Sequence, residues 1–408
     1  MKVTRRSVII GLSTVPMAGC LGGNATQSAA GAWPSVRNPA FDAWVRGFRA
    51  RAARAGISAQ TLSQGLRGVG YLPGVIERDR NQTEFKRSLE DYLAIAASDE
   101  RVAKGRSQFS ARSRTLQAIE ARYGVEAEIV CAVWGLESRY GERRGDAPVI
   151  SALATLAFDG RRGSFFEKQL VAALKIIQNG DISAARMTGS WAGAMGHTQF
   201  IPTSYQAFAV DFDGDGRRDI WSADPSDALA STAAYLQRNG WRTGQPWGLE
   251  VLLPNGFSGP TGRGNARSAA QWRAAGVRRA DGRALPDHGP GSILTPSGRS
   301  GPAFLVYRNF RVLLSYNNAE NYAIGVGHLS DRITGGNAIS GTFPPDAFGF
   351  TIEDRKALQR GLNRAGFDAG EPDGVFGSKT ETAIRAFQKA RGLTQTGKPS
   401  RALLELLK

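Results

Sequence analysis

The stretch Ile129-Val-Cys-Ala-Val-Trp-Gly-Leu-Glu-Ser-Arg-Tyr-Gly141 carries an unbroken apolar run straight into Glu137. Ahead of it, Arg112 to Tyr123 has helical character and Gly124 interrupts the pattern. The run itself then reads as a buried helix ending at Glu137. On such a helix Glu137 shares a face with Val133 and Trp134, and Val130 lies two turns back. Taking a carboxylate out of water is costly, so apolar walls favour its neutral form. They would move the pKa from about 4.3 toward roughly 6–7. An acid still protonated near neutral pH can donate to a glycosidic oxygen. The opposing reading pairs Glu137 with Arg139, Arg143 or Arg144, which would lower the pKa instead, and the local sequence leaves the two even. Most glycosidases set two carboxylates across the bond, and Asp146 is the candidate for a second acid here.

Further along comes Gly189-Ser-Trp-Ala-Gly-Ala-Met-Gly-His-Thr-Gln-Phe-Ile-Pro-Thr-Ser-Tyr205. Its small residues around Trp191 and Met195 would let a ligand approach the backbone closely. Ser190 and Gln199 would offer the hydrogen-bonding groups that sugars need. Tight helix packing explains the glycines too, though not the Gln-Phe-Ile-Pro-Thr-Ser-Tyr that follows. Asp211-Phe-Asp-Gly-Asp-Gly216 matches the first half of an EF-hand loop, with oxygen ligands at Asp211, Asp213 and Asp215 and a turn glycine at Gly216. Arg217 can add its carbonyl and Asp219 follows, but Ser222 stands where the standard loop has glutamate. An acidic surface turn would look the same. His197, His288 and His328 make no metal cluster, and the sequence assigns them no chemistry.

A chain of 408 residues with 41% hydrophobic and 22% charged residues has room for two or three domains with a buried core. The net charge of +16 favours a polyanionic partner. Its arginines are scattered, with no basic stripe and no helix-turn-helix or zinc pattern, so an acidic cell envelope fits better than nucleic acid. Residues 1–20 read as an export signal: Lys2, Arg5 and Arg6, an apolar stretch from Val8 to Ala18, then Gly19-Cys20. Met17-Ala-Gly-Cys20 resembles a lipobox with Met17 in place of the usual leucine, and Thr4 to Ile9 resembles a twin-arginine signal. Export with a lipid on Cys20 and export without one both stay open. Cys131 is expected to be a small core residue.

Residues 21–34 read as a tether, and helical patterns follow from Phe41, after a Ser58 cap, and over Gln82–Ala97. Others cover Ser164–Asn179, Asp227–Asn239 and Ala319–Ile333, with Asn309 expected to cap the stretch Phe310–Tyr316. Gly256–Pro302 is glycine-rich and poorly periodic, apart from a short helix at Ala269–Ala275 and a strand at Ile293-Leu294. Pro344-Pro345 marks a linker, and a small unit begins near Phe348.

Together these strings resemble the membrane-bound lytic murein transglycosylase B family. The resemblance runs from about Trp44 to Ile333 through Glu137–Gly141, Ser151–Arg162, the glycine string, the Asp211 loop and Tyr316–Ala323. Residues 351–407 resemble a small peptidoglycan-binding domain, through Asp373-Gly-Val-Phe-Gly377 and the face Thr380, Ala383, Ile384 and Phe387. The implied fold is mainly α. It has a lysozyme-like catalytic domain over 35–336, a linker over 337–348 and a three-helix wall-binding domain over 349–408.

The resemblance also implies that one glutamate, at the position of Glu137, does all the proton work. It puts Tyr92, Ser190, Gln199, Tyr235, Tyr316, Asn317 and Tyr322 in the substrate cleft. The implied reaction cuts the MurNAc-β-1,4-GlcNAc bond with closure of a 1,6-anhydro ring and needs no cofactor, which accounts for the missing second carboxylate. A structural calcium would sit on Asp211, Asp213, Asp215 and Arg217, with Asp227 closing the loop and Asp224 competing for that place. The setting is a monomer in the periplasm acting on glycan strands, held at the outer membrane through Cys20 and binding no nucleic acid. A non-catalytic wall-binding scaffold and a hydrolase on the same fold are the competing functions.

Overall fold

The computed structural model describes residues 33–81 and 87–408. The expected export signal, Cys20 and most of the expected tether fall outside the described residues, as do residues 82–86 at the start of the expected Gln82 helix. The chain forms two units. One holds Lys104–Thr243 with the chain before Phe85, and the other holds Phe85–Ala103 with Gly244–Lys408.

In chain order the helices of the amino-terminal half are α1 (Pro39–Arg54), α2 (Ala59–Gly65), α3 (Pro73–Arg80), α4 (Leu89–Ala96), α5 (Asp99–Ala111) and α6 (Ser113–Tyr123). Then come α7 (Ala127–Ser138), α8 (Val149–Asp159), α9 (Gly163–Gln178), α10 (Pro202–Phe208) and α11 (Ser226–Arg238). Two short strands, β1 (Ala147–Pro148) and β2 (Thr188–Gly189), pair antiparallel.

In the first unit the caps explain where helices start. Asn38 accepts from the Phe41 amide with Pro39 opening α1, and Ser58 accepts from the Thr61 amide ahead of α2. Gly124, at φ 65°, closes α6 in the left-handed region and turns the chain into α7. α8 is buried from Val149 to Ala157 and packs along α9, while α11 packs on α6 and α7. α6 and α11 both pack on α7, in keeping with its apolar run: every residue of α7 except Glu128 and Glu137 is buried.

The second unit adds a sheet that the sequence barely signalled. β3 (Gly248–Leu252), β4 (Arg278–Arg279), β5 (Ser292–Leu294) and β6 (Ala303–Val306) form an antiparallel sheet in the order β4-β3-β6-β5, with α12 (Ala269–Ala274) beside it. Ile293-Leu294 was the one strand expected. β6 is buried at all four positions, so it lacks the apolar–polar alternation that marks a half-exposed strand. Trp272, Val251, Ile293 and Leu305 fill the core of this glycine-rich segment.

α13 (Arg308–Tyr316) and α14 (Glu320–Ile333) follow, and α14 packs against both α13 and α4. Tyr307, not Asn309, occupies the cap of α13. Asn309 is buried inside the first turn, where its amide donates to the Gln245 carbonyl at 2.6 Å. The carboxy-terminal helices α15 (Ile352–Arg364), α16 (Ser378–Ala390) and α17 (Arg401–Glu405) close over Phe350, Leu358, Leu362, Ile384, Phe387 and Leu404. Thr380, Ala383, Ile384 and Phe387 form the expected buried face of α16.

Candidate active site

Glu137 sits in the last turn of α7, half-buried among buried neighbours. Directly after it the chain reverses through residues that are not glycine yet have positive φ: Arg139 at 51° and Tyr140 at 59°, then Gly141 at 90°. Such φ values cost a side-chain-bearing residue of order 1 kcal/mol or more and persist only when the surroundings over-determine them. Tyr140 is buried, stands edge-on to Trp134 with ring centroids 5.6 Å apart, and fills the space over Gly135. The Ser138 hydroxyl donates to the His197 carbonyl at 2.6 Å and accepts from the Gly141 amide at 2.9 Å. Glu142 pairs with Lys104, which lowers its pKa. Arg144 spends its guanidinium on the Trp221 and Ser222 carbonyls at 2.6 and 2.8 Å. Asp146, the other acid near Glu137 in sequence, accepts from the Trp33 indole at 2.8 Å.

The glycine string is a tight loop rather than a helix. A Cβ on Gly189 would lie 2.2 Å from the Ala194 carbonyl, and one on Gly196 would lie 2.3 Å from the Ile220 carbonyl. These glycines therefore admit protein backbone, which corrects the expectation that they open space for a ligand. Half-buried Ser190 accepts from the Ala194 amide at 3.0 Å, leaving its O–H proton to donate. Gln199, at φ 54°, gives both amide protons away, to the Arg144 carbonyl at 3.0 Å and the Gly196 carbonyl at 2.9 Å. It therefore offers its oxygen, an acceptor for a sugar hydroxyl or amide. Tyr235 is buried on α11, with its ring 4.5 Å from that of Phe208 between centroids.

The first unit thus carries Glu137, Ser190, Gln199 and Tyr235, while the second carries Tyr92, Tyr316, Asn317 and Tyr322. There Tyr316 and Tyr322 are buried and stacked, with ring planes 5° apart and centroids 6.4 Å apart. Asn317 has a buried side-chain oxygen with no hydrogen-bond partner. A buried acceptor left unpaired is rare and calls for a donor from a ligand or water. Tyr92 is half-buried on α4.

In the acidic loop Asp211, Asp213 and Asp215 bring ligand-capable oxygens within 4.8 Å of one another. The loop is wound by its own carboxylates: Asp211 accepts from the Gly214 and Gly216 amides at 2.7 and 2.9 Å, and Asp215 from the Arg217 amide at 2.8 Å. Asp227 lies outside that triplet. Its two oxygens each accept a backbone amide at 2.8 Å, from Phe212 and from Asp219, and burial raises its pKa to about 6. Asp224 instead binds Ser226 and faces Arg112, which lowers its pKa. Cys131 is the buried core thiol expected, pushed up to about 12 by burial.

His197, to which the sequence assigned no chemistry, lies within this network. Its ring takes the Trp134 indole proton at 3.1 Å, and burial lowers its pKa. Its position inside the Gly189–Tyr205 string was the signal available in the sequence.

Comparison with known proteins gives a family match to the transglycosylase SLT domain over residues 40–331 and to the putative peptidoglycan binding domain over residues 351–407. Membrane-bound lytic murein transglycosylase B of Escherichia coli is 34% identical over 218 residues, and the match spans 52% of this chain and 58% of that relative. SltB3 of Pseudomonas aeruginosa, solved with NAG-anhNAM-pentapeptide, is 46% identical with a TM-score of 0.74, over 91% of this chain and all of that one. Slt35 of Escherichia coli, solved with calcium, is 28% identical with a TM-score of 0.62, over 73% of this chain and 93% of that one.

Proposed function

The chain belongs to the transglycosylase SLT domain family, and from that premise we propose that it is a lytic transglycosylase cutting the MurNAc-β-1,4-GlcNAc bond of peptidoglycan. One observation carries the assignment of the acid: the last three turns of α7 are buried except at Glu137, which is half-buried just before a strained reversal. In the proposed reaction the protonated Glu137 donates to the bridging oxygen as the C1–O4 bond breaks, and GlcNAc leaves with a free 4-hydroxyl. The muramic acid 6-hydroxyl oxygen then bonds to C1, and its proton passes to the Glu137 carboxylate. The acid is regenerated and no water is consumed. The nucleophile belongs to the substrate, so proximity replaces a second carboxylate.

Ser190 would donate to the sugar chain, and the Gln199 oxygen and the unpaired Asn317 oxygen would accept from it. Half-buried Tyr92 would meet the sugar chain with its ring, and the buried Tyr235, Tyr316 and Tyr322 would back the residues that touch it. The ligand of the SltB3 complex, an anhydro-muramyl peptide, is the product this reaction would give. The peptidoglycan-binding match over 351–407 supports a second hold on the wall.

The carboxylate triplet Asp211, Asp213 and Asp215, the Arg217 carbonyl and the hard oxygen donor set suit calcium, with Asp227 bracing the loop. Bound there, calcium would neutralise the clustered carboxylates and serve structure alone. Among the described residues no helix is long and apolar enough to cross a membrane. The site of action is the periplasm, reached through the export signal, with a lipid on Cys20 as the anchor.

Mass spectrometry of products from purified sacculi tests the reading. Anhydro-ended muropeptides from the wild type and none from Glu137→Gln are expected. Reducing ends would make the protein a hydrolase, and no products from either protein would make it a scaffold.

A further inference from the structure

Glu137 is bracketed by contacts that converge on His197. Three residues before it, the Trp134 indole N–H points at Nδ1 of His197 at 3.1 Å. Nδ1 must accept there, so the neutral ring carries its proton on Nε2, which faces the Ser222 carbonyl at 2.8 Å. One residue after Glu137, the Ser138 hydroxyl donates to the His197 carbonyl. At the end of the reversal, Gly141 packs so closely on the ring that a Cβ there would lie 2.6 Å from Nδ1. The His197 amide donates to the Ile220 carbonyl at 3.1 Å, so the residue is held from the far side as well.

Burial of the ring opposes its protonation first, and the cations facing it add to that. Arg144 reaches to 3.3 Å of Nε2 and donates to the same Ser222 carbonyl, and Arg112 adds a second positive charge, while the Ser222 carbonyl and Asp224 pull the other way. A proton on Nδ1 would set two donors, the indole and the imidazolium, against each other.

We propose that His197, as its neutral Nε2–H tautomer, is a positioning residue for bond cleavage: it clamps Trp134 and Gly141 and thereby fixes the direction of Glu137. The proposal rests on Glu137 being the acid, and it adds a role to a buried residue that acts through its neighbours. The backbone bonds to Ser138 and Ile220 survive any substitution, so the ring itself supplies the indole bond, the Ser222 bond and the packing on Gly141.

The test is steady-state turnover of purified peptidoglycan by His197→Leu, His197→Asn and His197→Gln, with melting temperatures to confirm folding. His197→Leu keeps bulk and loses both ring bonds, so kcat is expected to fall about 10- to 100-fold, the scale of a misplaced catalytic group. KM should stay within about twofold, because uniform substrate binding is untouched. His197→Asn retains an acceptor near Nδ1 and His197→Gln a donor near Nε2, and each should recover part of the loss. Trp134→Phe removes the other end of the indole bond, so adding it to His197→Leu should lower kcat no further.

Nitrogen NMR of labelled protein should read Nδ1 unprotonated at neutral pH. A folded His197→Leu protein with wild-type kcat overturns the proposal, and so does a protonated Nδ1. If His197→Leu does not fold, a wild-type kcat in both the Asn and Gln variants overturns it equally. An active Glu137→Gln protein would sink the acid assignment itself, and that result is separate from any effect at His197.

Discussion

Gly135 lies inside α7 where a side chain would collide with Tyr140: a Cβ there would come within 2.5 Å of the phenol ring. Two effects of Gly135→Ala oppose each other. Alanine improves helix propensity by about 1 kcal/mol, while forcing a methyl into a packed core costs about 1–3 kcal/mol. The net stability change should be a small loss. Tyr140 can yield only by disturbing the Arg139–Tyr140 reversal, so activity should fall more than a melting curve suggests. Turnover and thermal unfolding measured on one preparation check this. The sequence showed Glu137 at the end of an apolar run but hid this reversal, because nothing in Ser-Arg-Tyr favours positive φ and tertiary contacts impose it. For His197 the sequence offered its place in the Gly189–Tyr205 string but not its partners, which are distant in sequence.

His328 gives a prediction in pH. It is buried on α14, and burial with help from Arg332 holds its pKa down at about 4, against 6.5 for a free ring. The unfolded chain therefore binds this proton first as pH falls. The contribution is fully present above the free-ring value and is lost progressively as pH drops through the folded value, amounting to about 3 kcal/mol at most. His328→Leu should flatten the fall in melting temperature over that interval. Equal pH dependence in the two proteins would remove the residue from acid unfolding.

Among the elements, the Asp211–Asp219 loop was half-legible. The EF-hand spacing exposed Asp211, Asp213 and Asp215, while the part Asp227 plays as a clasp on two backbone amides depends on a fold the motif does not contain. Three carboxylates this close repel unless neutralised, so chelator should lower the melting temperature and added calcium restore it. Asp215→Ala should abolish calcium uptake in a calorimetric titration. Unchanged melting with chelator would leave the loop an acidic turn.

The docking of α15 was not legible at all. Arg355, 4% exposed at its side chain, pairs with Glu90 at 2.5 Å, Asp91 at 3.0 Å and Asp346 at 3.5 Å. Arg355 lies in the first turn of α15, which begins at a Thr351 capping box. Removing the cation strands three carboxylates, and breaking a buried pair in this way costs about 3–5 kcal/mol. Arg355→Met should lower the melting temperature strongly, and Glu90→Gln in the same protein should recover part of it. Desolvation already raises the Glu90 pKa, so its charge is poorly tolerated there.

For the molecule as a whole, two kinds of attachment to the wall can be separated by salt. The net charge of +16 draws the protein to any polyanionic mesh, but that attraction is screened beyond a Debye length of about 8–10 Å at physiological ionic strength. The carboxy-terminal helices carry a surface cavity of about 430 Å³ lined by Gly366, Phe367, Ala383 and Ala386 together with Ser378, Thr382 and the Lys379–Asp368 ion pair. Contact with the apolar part of that lining weakens little with salt. In sedimentation with insoluble sacculi, a chain ending at Phe348 should therefore pellet at low salt and be released as salt rises. The full chain, and Glu137→Gln with it, should stay bound. The truncation also removes Arg355 and leaves Glu90 and Asp91 without their cation beside Tyr92, so a lower melting temperature and weaker turnover of soluble glycan fragments should accompany it. If the shortened chain held the wall at high salt as firmly as the full one, attachment would belong to the catalytic domain, and the carboxy-terminal helices would serve mainly to brace α4.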